Sequence, residues 1–114
     1  MTTELTPTEI RVFIREQCPT VSPAGINYYP LVFGDYDIES VGVCRRWIDK
    51  FAHKTARIRY SPTSYYLKHV VERWSDRYIS NGSFIIAAAI SGYRWIPHNH
   101  VNAVFNLACV RGRC

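Results

Sequence analysis

Apolar residues recur along this chain with two different periods. Leu67, Val70, Val71, Trp74 and Tyr78 fall at i, i+3, i+4, i+7 and i+11, which is one stripe of a 3.6-residue helix. Thr63 or Ser64 supplies the N-cap and Pro62 keeps the residue before it extended, so the helix is expected to start near Tyr65. Lys68, Glu72, Arg73, Asp76 and Arg77 fall mostly on its other side. Ser80, Asn81 and Gly82 then read as a turn and cap, since Asn and Gly tolerate positive φ. A second helix is expected from Ser83 through Ser91, FIIAAAIS after the cap, stopped by Gly92. It is apolar all round, too short to span a bilayer, and therefore a core helix. Tyr93 to Ile96 and Ala103 to Val110 are rich in β-branched and aromatic residues around Pro97, His98, Asn99 and His100, and read as a hairpin.

Upstream the pattern is also helical. Thr6-Pro7-Thr8-Glu9 is a capping box with proline at the first helical position, opening a helix through about Gln17 with Ile10, Phe13 and Ile14 inward. Cys18-Pro19 ends it. Residues 19–34 carry three prolines and two glycines and read as an ordered loop or short extended segments tied down by Tyr28, Tyr29, Leu31 and Phe33. Asp35 or Asp37 then caps a helix in which Ile38, Val41, Cys44, Ile48 and Phe51 recur at helical spacing, with Gly42 inside it. The order predicts an α+β fold: a small single domain over residues 1–114, mostly helical, with a helix-turn-helix-like pair followed by a C-terminal β-hairpin, or wing.

Composition adds charge to this picture. The chain has 114 residues, 47% of them hydrophobic, and a net charge of +5, enough apolar content for one core without staples. Arg45, Arg46, Lys50, His53, Lys54, Arg57, Arg59, Lys68, Arg73 and Arg77 crowd the middle third, interleaved with Trp47, Tyr60, Tyr65 and Tyr66. Cations for phosphate and rings for stacking are what single-strand and RNA binders use. The plain alternative is that the charges are solvated helix faces and the rings core. No basic segment followed by an apolar run marks a secretory signal, and no stretch is long enough to cross a membrane. A soluble protein of the cytoplasm is expected, with Cys18, Cys44, Cys109 and Cys114 as free thiols.

At the level of wording, Ser64-Tyr65-Tyr66-Leu67-Lys68-His69 with Glu72, then Tyr78-Ile79-Ser80-Asn81-Gly82-Ser83-Phe84-Ile85 with Ala87-Ala88 and Gly92-Tyr93, and Asn102-Ala103-Val104-Phe105-Asn106, resembles small proteins of bacteriophages and plasmids. The resemblance covers residues from about 55 to 107. It implies a mobile-element setting in a bacterial cytoplasm, where proteins of this size are often regulators or inhibitors of host machinery, anti-CRISPR-type inhibitors included. It transfers no activity and no catalytic residue.

Two constellations have the side chains for chemistry. His98, His100, Cys109 and Cys114 are all zinc-ligand types, in an HxH then CxxxxC spacing. That spacing is wider than a common zinc knuckle, so solvent-exposed loop histidines and a core cysteine are the stronger reading, and no cofactor is expected. His98-Asn99-His100 spells HNH but lacks the ββα-metal context of that nuclease. A metal-independent nuclease using His53, His69, His98 or His100 beside Lys and Arg has no pairing visible in the sequence. There is no Walker loop, dinucleotide fingerprint, GxSxG or HExxH.

The expectation is therefore a protein that acts by binding rather than catalysis. The leading partner is DNA or RNA, or a nucleic-acid-handling host complex, contacted through Arg45, Arg46, Lys50, Lys54, Arg57, Arg59, Lys68, Arg73 and Arg77, with Asn81 and Ser83 near a groove. The rival is a protein-interaction module that inhibits a host defence complex through an aromatic patch such as Tyr28, Tyr29, Trp47 and Trp95.

Overall fold

The computed structural model describes residues 4–27, 32–112 and 114. Thr6 caps α1 (Pro7–Gln17) by the anticipated box: Glu9 N–H donates to Thr6 Oγ1 at 3.1 Å and Thr6 N–H donates to Glu9 Oε1 at 2.8 Å. Two short antiparallel strands follow, β1 (Val21–Ser22) and β2 (Gly25–Ile26). Neither aspartate caps α2 (Asp35–Phe51). Gly34 stands at the N-cap, and Asp37 Oδ2 accepts from its N–H at 3.2 Å. Gly42 lies inside this helix, where glycine costs about 1 kcal/mol relative to alanine.

The stretch after α2 is the largest departure from expectation. Helical spacing stops at Phe51 and the chain enters β3 (Ala52–Arg59) directly. His53, Lys54, Arg57 and Arg59 are thus strand residues and exposed, Lys54 among them, rather than a continuation of the helix. α3 (Ser64–Ser75) starts at a Thr63 cap and stops early, because Asp76 takes the left-handed conformation at φ 55°. Tyr78 therefore leaves the stripe and is 60% exposed, and Trp74 at the helix end is 42% exposed. α4 (Asn81–Ile90) begins two residues sooner than expected because Ser80 is its N-cap, accepting from Ser83 N–H at 3.3 Å. β4 (Trp95–His98) and β5 (Asn102–Cys109) form the hairpin, followed by a 3-10 turn at Val110–Gly112.

β5 is the middle strand of an antiparallel sheet ordered β3-β5-β4. Its residues Ala103 to Leu107 are all buried. The helices cover this sheet with α4 innermost: residues 81–88 are buried to the last side chain. Phe84 meets Trp47 of α2 edge-on at 6.1 Å and Phe105 of β5 at 5.6 Å, centroid to centroid, so one ring joins helix layer to sheet. Among the described residues, no helix is long and apolar enough to cross a membrane.

The polar residues at the head of α4 fix its position. Gly82 N–H donates to Pro23 O at 2.8 Å, and a Cβ on Gly82 would collide with the Ser22 carbonyl oxygen. Asn81 Nδ2 donates to Ala24 O at 3.1 Å and to Asn102 Oδ1 at 3.0 Å, tying the β1–β2 turn to the hairpin. Ser83 Oγ donates to Asp37 O of α2 at 3.0 Å. Gly82→Ala is expected to destabilise the fold by about 3 kcal/mol, because the added methyl must displace backbone rather than a side chain. Urea unfolding read by circular dichroism measures it, and a wild-type midpoint would refute the contact.

Candidate nucleic-acid interface

The expected contact residues divide into two groups. Asn81 and Ser83 are buried and spent on the bonds just described, so neither faces a groove. The head of α4 is thus a structural joint, and the helix-turn-helix-like order does not produce a recognition helix. Lys68 and Arg77 are also withdrawn. Lys68 is buried, with Nζ 3.2 Å from Glu72 Oε2 and placed over the rings of Tyr78 at 4.7 Å and Tyr65 at 5.6 Å. Arg77 donates to Glu39 Oε1 at 2.7 Å and to Ser40 Oγ at 3.2 Å and lies 4.1 Å from the centre of the Tyr36 ring. The bond to Glu39 raises its already high pKa. Arg45 is half-buried and already engaged. Lys68 is enclosed by Tyr65, Glu72 and Tyr78, and Arg77, just past α3, reaches back to Tyr36, Glu39 and Ser40 of α2, which a list of charges along the chain does not reveal.

Glu72 organises the Lys68 cluster. Beyond Lys68, its carboxylate accepts from His69 Nδ1 at 2.7 Å and from Ile79 N–H at 3.0 Å, closing the turn that leads into α4. Burial works to raise its pKa, but the Ile79, His69 and Lys68 hydrogen bonds outweigh it and hold the carboxyl below the usual carboxylate range.

Three of the remaining cations, Arg46, Lys50 and Arg73, border the Trp74 side chain. Trp74, on α3, stands between two open grooves. One, about 320 Å³, is lined by Trp47, Phe51, Val70, Arg73 and Trp74; the other, about 330 Å³, by Glu4, Arg46, Asp49, Lys50 and Trp74. Arg46 reaches Glu4 at 3.5 Å with half its side chain exposed. Lys50 and Arg73 are exposed and engage no carboxylate among the described residues. β3 follows α2 directly in the chain and carries Lys54, Arg57 and Arg59, all exposed. Lys54 Nζ lies 5.2 Å from the Tyr93 ring centre. An exposed indole framed by unneutralised cations is able to stack a base and hold the phosphates on either side of it.

Of the rival reading's aromatic patch, Trp47 and Trp95 are among the described residues. Trp47 is 1% exposed and belongs to the core, Trp95 is half-buried, and Tyr28 and Tyr29 lie outside the described residues. Trp74 is the aromatic that sequence reasoning assigned to the core and the structure puts outside. Its position follows from the helix end at Asp76, φ 55°, which leaves Trp74 in the last turn of α3.

The His/Cys cluster has a different outcome. Cys109 and Cys114 are joined in a disulfide, with Cα atoms 5.6 Å apart, so the expected four free thiols are two, Cys18 and Cys44. Burial raises the Cys18 thiol to about 11 and pushes Cys44 higher still. Among the described residues, no three His, Cys, Asp or Glu side chains are grouped to hold a metal ion. His98 packs against Tyr60 at 6.0 Å between ring centres, and His100 occupies the hairpin turn with φ 60°.

No protein-family model matches this chain, and comparison with curated proteins and with solved structures likewise returns no match.

Two expectations follow. Because the folded Glu72 carboxyl titrates below its ordinary value of 4.5, its contribution is fully present above that pH and is lost as pH falls through the folded value. Glu72→Gln should cost about 1–3 kcal/mol at neutral pH, as expected for hydrogen bonds to a charged acceptor. Thermal melts from pH 7 downward should show the gap to wild type closing in acid, and a gap independent of pH would contradict this account. Thiol titration of denatured, non-reduced protein should count two cysteines, rising to four after reduction.

Proposed function

We propose that the protein binds single-stranded nucleic acid without sequence readout, stacking a base on Trp74 and holding flanking phosphates with Arg46, Lys50 and Arg73, and with Lys54, Arg57 and Arg59 along β3. The observation that carries this reading is the exposed Trp74 indole beside Lys50 and Arg73, which engage no carboxylate among the described residues. Unpaired strands are favoured over duplex because the buried α4 cannot serve as a recognition helix, whereas stacking on Trp74 needs a base free of its neighbour. The protein acts by binding, not by catalysis. Its setting is the bacterial cytoplasm and its origin a phage or plasmid, where it serves as a regulator or inhibitor of nucleic-acid-handling machinery; the wording of residues 55–107 supports that setting.

Fluorescence anisotropy with labelled deoxythymidine and uridine oligomers and a duplex control tests the reading. Single strands should bind more tightly than duplex, with affinity falling steeply as salt rises. Trp74→Ala should weaken binding by about 1–3 kcal/mol, the range for loss of one stacked base. Lys50→Ala with Arg73→Ala should lower the salt slope by roughly one to two units. Folding should survive, because exposed charges contribute little stability. Absence of binding to any strand at micromolar protein and low salt would refute the proposal.

A further inference from the structure

β5 divides its sheet into two unlike faces. Ala103, Phe105 and Leu107 belong to the core cluster with the helix residues, and side chains alternate along a strand, so Val104 and Asn106 point the other way. Residues paired directly across strands share a face. Ile96 pairs with Val104 and His98 with Asn102, which puts both on the side turned away from the core cluster. Tyr60, the first residue after β3, reaches this side as well, since its ring lies 6.0 Å from that of His98. Tyr60 is 69% exposed and Ile96 38%, while Val104 is fully buried. A ring and an aliphatic side chain thus stand in solvent on a sheet, where single-strand binders present the rings on which bases stack.

Charge selects the occupant. All nine Asp and Glu side chains precede Lys50 apart from Glu72 and Asp76, so β3, β4, β5 and the turn between β4 and β5 carry no carboxylate side chain. Glu72 is itself occupied by Lys68, His69 and the Ile79 amide. Lys54, Arg57 and Arg59 of β3 are exposed, and none of them is ion-paired among the described residues. Anions are drawn to such a sheet, whereas a basic partner is repelled.

The chain itself leads from the Trp74 ring to this face. Phe51, the last residue of α2, packs edge-on against Trp74 at 6.0 Å between ring centres. β3 begins at the next residue and ends one residue before Tyr60. At roughly 3.3 Å per residue, Phe51 and Tyr60 are at most about 30 Å apart. A single strand of several nucleotides covers that distance.

We propose that the sheet face around Tyr60 is a second base-stacking site, taken by a nucleotide further along the same strand that stacks on Trp74. Tyr60 is its platform, and Arg57 and Arg59 hold its phosphates. The assignment rests on the nucleic-acid reading above and adds to it the path of the bound strand.

Fluorescence anisotropy with two labelled oligomers of equal length tests it: a thymidine dodecamer, and an abasic dodecamer that keeps the phosphates and lacks the bases. Tyr60→Ala should weaken the thymidine oligomer by at least about fivefold, the effect of one lost stacked base, and leave the abasic oligomer within about twofold of wild type. Tyr60→Phe, which keeps the ring, should bind both oligomers as wild type does. Arg57→Ala with Arg59→Ala should weaken both. Irradiation of wild-type protein with a bromodeoxyuridine dodecamer should crosslink Tyr60 as well as Trp74, a readout by mass spectrometry that needs no variant to fold. Equal loss of both oligomers in Tyr60→Ala would show a surface for acidic groups without stacking and would overturn the assignment. Undiminished thymidine binding by Tyr60→Ala, or a crosslink at Trp74 alone, would also overturn it while leaving the Trp74 site in place. Wild-type protein that binds neither oligomer would instead refute the nucleic-acid reading, and this assignment with it.

Discussion

The seat of α4 against the β1–β2 turn is the constraint on which the rest of the structure depends. Gly82 must be glycine for the helix to touch Ser22 and Pro23, and Asn81 bridges that turn to the hairpin only at that distance. Close approach of this kind brings an apolar helix, with no charge to orient it, into one register. The surrounding elements then have a fixed surface to pack on: Trp47 and Ser83's partner Asp37 on α2, Phe105 on β5. Polar residues at the head of a greasy helix thus supply the specificity that the greasy residues lack.

That joint also determines which charges reach solvent. With α4 fully enclosed, α2 and α3 become the outer layer, and each turns one flank into the seam and one outward. Lys68 pairs with Glu72 within α3, and Arg77, just past its end, pairs with Glu39 of α2, while Arg46, Lys50 and Arg73 border Trp74. A buried ion pair adds little net stability over an apolar pair, but a broken one is costly. The largely buried Lys68–Glu72 pair is accordingly better understood as fixing the α3–α4 turn than as a reservoir of binding charge, while the Arg77–Glu39 pair, with Glu39 exposed, links that turn to α2 at the surface.

Much of this architecture was legible in the sequence. The capping box at Thr6, a cap at Thr63 or Ser64, the apolar α4 and the hairpin followed from local rules, because caps and periodicity act over one or two turns, although α4 begins two residues before the start that they predict. β3 was not legible: in AHKTARIR each partly buried residue is followed by one or two exposed ones, Ala56 among them, so it lacks the alternation by which a half-buried strand declares itself. The candidate interface was legible as composition and not as geometry. Whether Lys68 or Lys50 faces water depends on which neighbour each helix leans on, and that is a tertiary fact. The Cys109–Cys114 pairing was missed because the reading rested on cellular setting rather than on distance.

The register of β3 has a consequence for how this protein meets other chains. Lys54 pairs with Leu107 and Arg59 with Phe105, so Thr55 through Ile58 stand opposite the single residue Asn106. Asn106 Nδ2 donates to Thr55 O at 3.2 Å and Arg94 donates to Ala56 O at 2.7 Å, holding the surplus residues out of line. A sheet edge interrupted in this way, and carrying cations at its ends, offers no straight row of amides for a foreign strand to zip against. Two such molecules at high concentration repel where flat edges would join, and whatever β3 touches it must touch with side chains.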